Sequence, residues 1–92
     1  MKIAVFGATG MLGSAIVSEG RSRGHEIVSV STRPGAGDVV ASIEETDAVV
    51  RLAKDVDAVV VSVPPARSTS AEAWLAAHER LAATPLKARL FM

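Results

Sequence analysis

The chain has 92 residues, enough for one domain and too few for two, so residues 1–92 are expected to form a single unit. Apolar residues make up 49%, mostly Ala and Val, and aromatics only 3%, which excludes a disordered chain and suits parallel strands covered on both faces by helices. Ten basic residues balance ten acidic ones and there is no cysteine; no attraction to nucleic acid or an anionic membrane is expected, and neither a disulfide framework nor a thiolate metal site can form.

Residues 3–6 form a short apolar run that Gly7 ends, which predicts a first strand. A helix is predicted over 11–23, with Leu12, Ala15 and Ile16 on one face and Gly24 as its stop. Gly20 inside that helix costs about 1 kcal/mol relative to Ala. A second strand follows over 26–31, ended by Thr32, Arg33, Pro34 and Gly35. The segment 33–37 is too short for a helix, so a loop is expected to cross to a weak third strand over 39–41. A second helix is predicted over 45–54, its apolar face Ala48, Val49, Leu52 and Ala53. The β-branched run 58–63, ended by Pro64 and Pro65, predicts a fourth strand. A third helix is predicted over 71–83, with Trp74, Leu75, His78 and Leu81 at helical spacing and Pro85 ending it. Residues 89–92 open a fifth strand.

Strand and helix alternate, which implies an α/β fold of the Rossmann type: a doubly wound parallel sheet with right-handed crossovers and strand order 3-2-1-4-5. Complete sheets of this kind carry at least one strand more, so the chain reads as truncated at its C-terminal side. No leader precedes the first strand and no apolar run is long enough to span a bilayer, so no membrane partner and a cytoplasmic location are expected.

The strongest motif is Gly7-Ala8-Thr9-Gly10-Met11-Leu12-Gly13, placed between a strand and a helix. Gly7 lets the chain turn out of the strand, Gly10 lets the backbone approach a pyrophosphate, and Gly13 lets the helix lie close to the strand. N–H groups of the first helical turn and the helix dipole then favour a phosphate. With the Gly-x-x-Gly-x-x-Gly spacing, the run Lys2 to Gly10 followed by Gly24-His25-Glu26-Ile27 resembles the atypical short-chain dehydrogenase/reductase group. The nearest likeness is to its NAD(P)H-binding, NmrA-like and biliverdin-reductase-B-like proteins. The likeness continues through Val56-Asp57-Ala58-Val59-Val60. Such proteins are about twice this length or more, so the chain corresponds to their N-terminal half.

The resemblance implies a dinucleotide cofactor, bound by Gly7, Thr9, Gly10, Met11, Leu12 and Gly13. At the end of the second strand an acidic residue would accept hydrogen bonds from the ribose hydroxyls of NAD. The sequence there has none; Arg33 can pair with a 2′-phosphate, and Ser31 or Thr32 can donate to it, which favours NADP over NAD. By the same resemblance Ser42 and Ile43 lie beside the adenine, with Ser42 where the family usually has Asp. Ser62, Val63 and Pro64 then line the ribose on the nicotinamide side.

The family's usual catalytic Tyr and Lys lie on the helix after the fifth strand; this chain has no tyrosine, and no catalytic residue is nominated. Glu44, Glu45 and Asp47 suit a helix start. His25 caps or covers a turn, Trp74 and His78 pack, and two distant histidines without cysteine make no metal site. Two functions follow: an NADP-dependent reductase or epimerase-like protein, or a non-catalytic dinucleotide-sensing module of the NmrA type. An exposed edge on the fifth strand would favour self-association.

Overall fold

A computed structural model describes residues 1–64 and 70–92, so Pro65, expected to help end the fourth strand, lies outside the described residues. Five strands, β1 (Lys2–Phe6), β2 (Glu26–Ser31), β3 (Val39–Val40), β4 (Ala58–Val61) and β5 (Arg89–Phe91), form one sheet. Its order is β3-β2-β1-β4-β5, every pairing parallel. Among the described residues three helices, α1 (Met11–Ser22), α2 (Thr46–Ala53) and α3 (Ala71–Ala83), connect them, and no helix lies between β2 and β3. This is the doubly wound Rossmann-type arrangement expected from the alternation of elements. Three expected strands are shorter: β3 stops at Val40, β4 at Val61 and β5 at Phe91; past β4 the Ser62 N–H still donates to the Phe6 carbonyl at 3.0 Å. No helix among the described residues is long and apolar enough to cross a membrane.

The central strands are buried on both faces, which their unbroken apolar runs require. Ala4 and Phe6 of β1 join Val59 and Val61 of β4 in a core capped by Val49 and Ala53 of α2 and by Ala77 and Leu81 of α3. Val5 and Ile27 face the other way and meet Val17 of α1.

The packing faces of α1 and α3 agree in part with those expected: Ile16 packs against the core and Leu81 is buried, but other expected residues face outward. On α1 the buried residues are Gly13 and Val17, while Leu12 and Ala15 are exposed. The contact line is made of small side chains: a Cβ on Gly20 would come within 2.7 Å of the Ile27 Cδ1. Close approach of the helix to β2 therefore offsets the helical cost of glycine. On α3, Ala77 and Leu81 are buried, Leu75 is exposed, and Trp74 and His78 are half-buried.

Chain reversal after α1 follows from Gly24, whose φ of +85° is open to glycine. Its N–H donates to the Arg21 carbonyl and that of His25 to the Gly20 carbonyl, the paired bonds of a Schellman ending. The His25 ring lies 3.2 Å from the terminal amine of Met1 and covers this turn. Asp57 ties the lower edge of the sheet by accepting the Lys2 N–H at 2.8 Å.

Candidate functional site: a crevice at the carboxyl edge of the sheet

Register brings three strand ends to one level. Phe6 pairs with Val30 on one side and with Val61 on the other, so the loops that leave β1, β2 and β4 emerge together. The connection order changes direction between β1 and β4, the place where doubly wound sheets open a ligand crevice. Gly7, Thr9 and Gly10 form one wall of such a crevice here. Ser31, Thr32 and Arg33 form the second wall, and Ala41, Ser42 and Ile43 the third. Val63 and Pro64 close it, over a floor of Phe6 and Val30.

The three loop glycines have separable roles. Gly7 sits at φ +79°, and a Cβ there would fall on the Ser62 carbonyl, so it serves both the turn and the contact with the β4 exit. A Cβ on Gly13 would fall on the Gly7 carbonyl and lie 3.1 Å from the Ala8 Cα. Gly13 thus lets α1 sit on the glycine turn itself. Gly10 differs: a Cβ there would meet only the Gly7 carbonyl oxygen, at 3.4 Å, and otherwise open space. That open space borders the crevice.

The start of α1 leaves backbone donors uncapped. Gly10 is the N-cap and contributes no capping side chain, and the first turn holds no acidic residue. The first helical bond runs from the Ser14 N–H to the Gly10 carbonyl at 2.8 Å, which leaves the N–H groups of Met11, Leu12 and Gly13 without intrahelical acceptors. A pyrophosphate at this cradle would satisfy such donors and sit at the positive end of the helix dipole.

The second wall carries the cation. Arg33 is exposed and makes no ion pair among the described residues. Its N–H donates to the Ser31 Oγ at 3.1 Å, which fixes the turn after β2; Ser31 is 5% exposed. On the third wall Ser42 and Glu45 cap each other's turn. The Ser42 N–H donates to the Glu45 Oε1 at 3.1 Å, and the Ser42 Oγ accepts the Glu44 N–H at the same distance. These bonds lie in the turn before α2, and of the three carboxylates expected at the helix start Asp47 is the one in its first turn.

Met11, Leu12 and Ser62, also expected at the cofactor, line a separate, largely apolar pocket on the far side of Gly10, together with Val63 and Pro64. Gly13 is buried beneath the loop and lines neither. Sequence reasoning missed Trp74, His78, Phe91 and Met92 in that second pocket. Their helical spacing and strand pattern signalled core, and only the topology carries α3 and β5 to the side of β4.

A family model for the NAD-dependent epimerase/dehydratase family matches residues 3–85. The chain belongs to that family. The family binds a nicotinamide dinucleotide, and the glycine loop with its open Gly10 face fits the diphosphate of such a cofactor. Solved structures agree. A protein from Lactobacillus casei is similar at 34% identity and a TM-score of 0.69, over 98% of this chain and 46% of that one. A short-chain dehydrogenase/reductase superfamily protein from Agrobacterium tumefaciens, solved with bound NAD, is similar at 29% identity and a TM-score of 0.57, over 68% of this chain and 20% of that one. The UDP-N-acetylglucosamine 4-epimerase from Bacillus cereus is similar at 30% identity and a TM-score of 0.59, over 68% of this chain and 24% of that one. This epimerase/dehydratase-family chain therefore spans less than half the length of each of these relatives. No curated protein matches the sequence.

Proposed function

We propose that this chain is the NADP(H)-binding part of an oxidoreductase of the short-chain type. The observation that carries the reading is Arg33: an exposed guanidinium with no acidic partner among the described residues, at the end of β2, on the wall of the crevice. A carboxylate at that wall would favour ribose hydroxyls and repel a 2′-phosphate; an arginine does the reverse. Gly7, Thr9 and Gly10 cradle the diphosphate, with the N–H groups of Met11, Leu12 and Gly13 as donors. Thr32 and Arg33 take the 2′-phosphate, Ser42 and Ile43 border the adenine, and Ser62, Val63 and Pro64 lead toward the nicotinamide. When bound, the dinucleotide supplies hydride chemistry; these residues bind and orient it.

The test is calorimetric titration of NADPH and NADH into the wild-type chain and Arg33→Ala. A charge-assisted hydrogen bond contributes about 1.5–3 kcal/mol, roughly ten- to a hundredfold in affinity. NADPH should weaken by that factor and NADH should hardly change. Equal losses for both cofactors would refute the assignment of Arg33.

A further inference from the structure

Arg33 stands on a crossover loop that is tied down at both ends. Where the loop leaves β2, the Arg33 N–H is held by the Ser31 Oγ. A turn then runs from Arg33 to Ala36. The Ala36 N–H donates to the Arg33 carbonyl at 3.3 Å, with Pro34 and Gly35, at φ +79°, in the middle, the pattern of a type II turn. Two reciprocal bonds tie the return. The Ser29 N–H donates to the Asp38 Oδ2 at 3.0 Å, and the Asp38 N–H donates to the Ser29 Oγ at the same distance. Val30 and Val39 form the first pair between β2 and β3, so this clasp sits one residue before the ladder begins. The loop lies so close to β2 there that a Cβ on Gly37 would come within 3.0 Å of the Ser29 carbonyl oxygen. Arg21 of α1 reaches the same Oδ2 only at 3.5 Å, with both side chains more than half exposed, so the hydrogen bonds and not the ion pair hold the clasp.

We propose that Asp38 is a positioning residue for NADP: its clasp on Ser29 holds the crossover loop in the shape that presents Arg33 to the 2′-phosphate. The inference rests on the reading of Arg33 as the partner of that phosphate. Asp38 itself lines no part of the crevice, so its effect must pass through the loop. The clasp closes the chain from Ser29 to Asp38 into a short ring, with Arg33 near its middle. An unclasped ring would have to be ordered each time the phosphate binds, and that ordering lowers affinity. The sign separates this effect from direct electrostatics. A carboxylate near the site repels a phosphate, so by charge alone its removal would strengthen NADPH binding. Loss of the clasp weakens it. NADH has no 2′-phosphate and is indifferent to where Arg33 points.

The test is calorimetric titration of NADPH and NADH into Asp38→Ala, Asp38→Asn, Arg33→Ala and the Arg33→Ala, Asp38→Ala double variant. Ala removes both the acceptor and the charge. Asn removes only the charge, and its Oδ1 still accepts the Ser29 N–H. Ordering a freed loop and side chain corresponds to about two- to tenfold in affinity. Asp38→Ala should weaken NADPH by that factor and leave NADH unchanged. Asp38→Asn should bind NADPH at least as tightly as the wild type. In the Arg33→Ala background Asp38→Ala should have no further effect. Amide hydrogen exchange reads the loop without cofactor: the N–H groups of Arg33 and Ala36 should exchange faster in Asp38→Ala than in the wild type. Equal losses for both cofactors, a loss that persists without Arg33, a loss in Asp38→Asn as large as in Asp38→Ala, or unchanged exchange in Asp38→Ala would overturn the proposal. No loss of NADPH in Arg33→Ala would remove the phosphate assignment and the proposal with it. A selective loss in Arg33→Ala with none in Asp38→Ala would overturn the positioning role alone.

Discussion

Two glycines three residues apart should respond to substitution in opposite ways, one through stability and the other through binding. In Gly13→Ala the new Cβ falls on backbone, the Gly7 carbonyl, with the Ala8 Cα at 3.1 Å. Neither neighbour is the free end of a side chain, so α1 must lift from the turn. Overpacking of this kind costs about 1–3 kcal/mol, and here the upper part of the range applies because the obstacle is backbone. The better helix propensity of Ala returns up to about 1 kcal/mol. The net loss is then about 2 kcal/mol, a fall in Tm of roughly 8–16 °C for a domain of this size. Gly10→Val meets only one atom, at 3.4 Å, from a φ of −75° that any residue adopts. Loss of a tolerated N-cap costs about 1 kcal/mol, and the smaller conformational freedom of the unfolded chain offsets about half of it. Gly10→Val should therefore melt close to the wild type, yet its branched side chain fills the space assigned to the diphosphate and should abolish binding of NADPH and NADH alike. Calorimetry and thermal melting by circular dichroism check both variants. Normal melting of Gly13→Ala, or normal NADPH affinity of Gly10→Val, would refute the division of roles.

Three further outcomes follow from other parts of the molecule. Asp38 accepts the Ser29 N–H at 3.0 Å, and these Ser29 hydrogen bonds, helped by Arg21, hold its carboxyl below the ordinary value of 3.8. A depressed folded value contributes stability above the ordinary carboxylate value and loses it as pH falls through the folded one. Asp38→Ala should melt below the wild type at neutral pH, and the gap should close as pH drops below 3.8; a gap independent of pH would refute the contribution. Phe91 and Met92 are more than half exposed and β5 is an edge of the sheet, so the 92-residue chain should self-associate. Sedimentation that shows one monomeric species across a hundredfold range of concentration would exclude that. Trp74→Phe removes the indole bond to the Val63 carbonyl and should lower Tm, measured by circular dichroism; an unchanged Tm would refute that anchoring role.

The order of elements was legible because each boundary has a local chemical cause. Gly7 and Gly24 occur where φ is positive, and Ser70 caps α3 by accepting the Ala73 N–H at 3.0 Å. The β-branched run after Asp57 is long enough to be a strand and too short to be a helix. Helix faces were less legible. Periodicity ranks residues by hydrophobicity, so it selected Leu12 and Leu75, yet α1 and α3 bury Gly13 and Ala77. In a thin three-layer sheet the closest approach is made by the smallest side chains, and a pattern of large apolar residues cannot reveal it. Strand ends were overrun for a related reason. Val63 is β-branched, but its carbonyl is taken by the Trp74 indole and not by a neighbouring strand, so the ladder ends earlier than the residue types suggest.

The same distinction separates the two pockets. The crevice proposed for the dinucleotide was readable because its residues lie immediately after strands, and the register of parallel strands carries consecutive strand ends to one edge. Any residue that follows Phe6, Ser31 or Val61 is placed there by topology alone. The apolar pocket has no such rule. It joins the start of α1, the exit of β4, one turn of α3 and the tip of β5, which lie far apart in sequence. What marks it chemically is a hydrogen-bond pattern that no spacing displays: the carbonyl of Trp74 fixes the tautomer of His78, and the indole of Trp74 is itself fixed by Val63. Val63 thus lines both pockets, and its carbonyl anchors the Trp74 indole. A change in the β4 exit, such as Val63→Gly, should loosen both pockets at once. Weaker NADPH binding and a displaced His78 resonance in the same variant would demonstrate that link, and an effect on only one of them would break it.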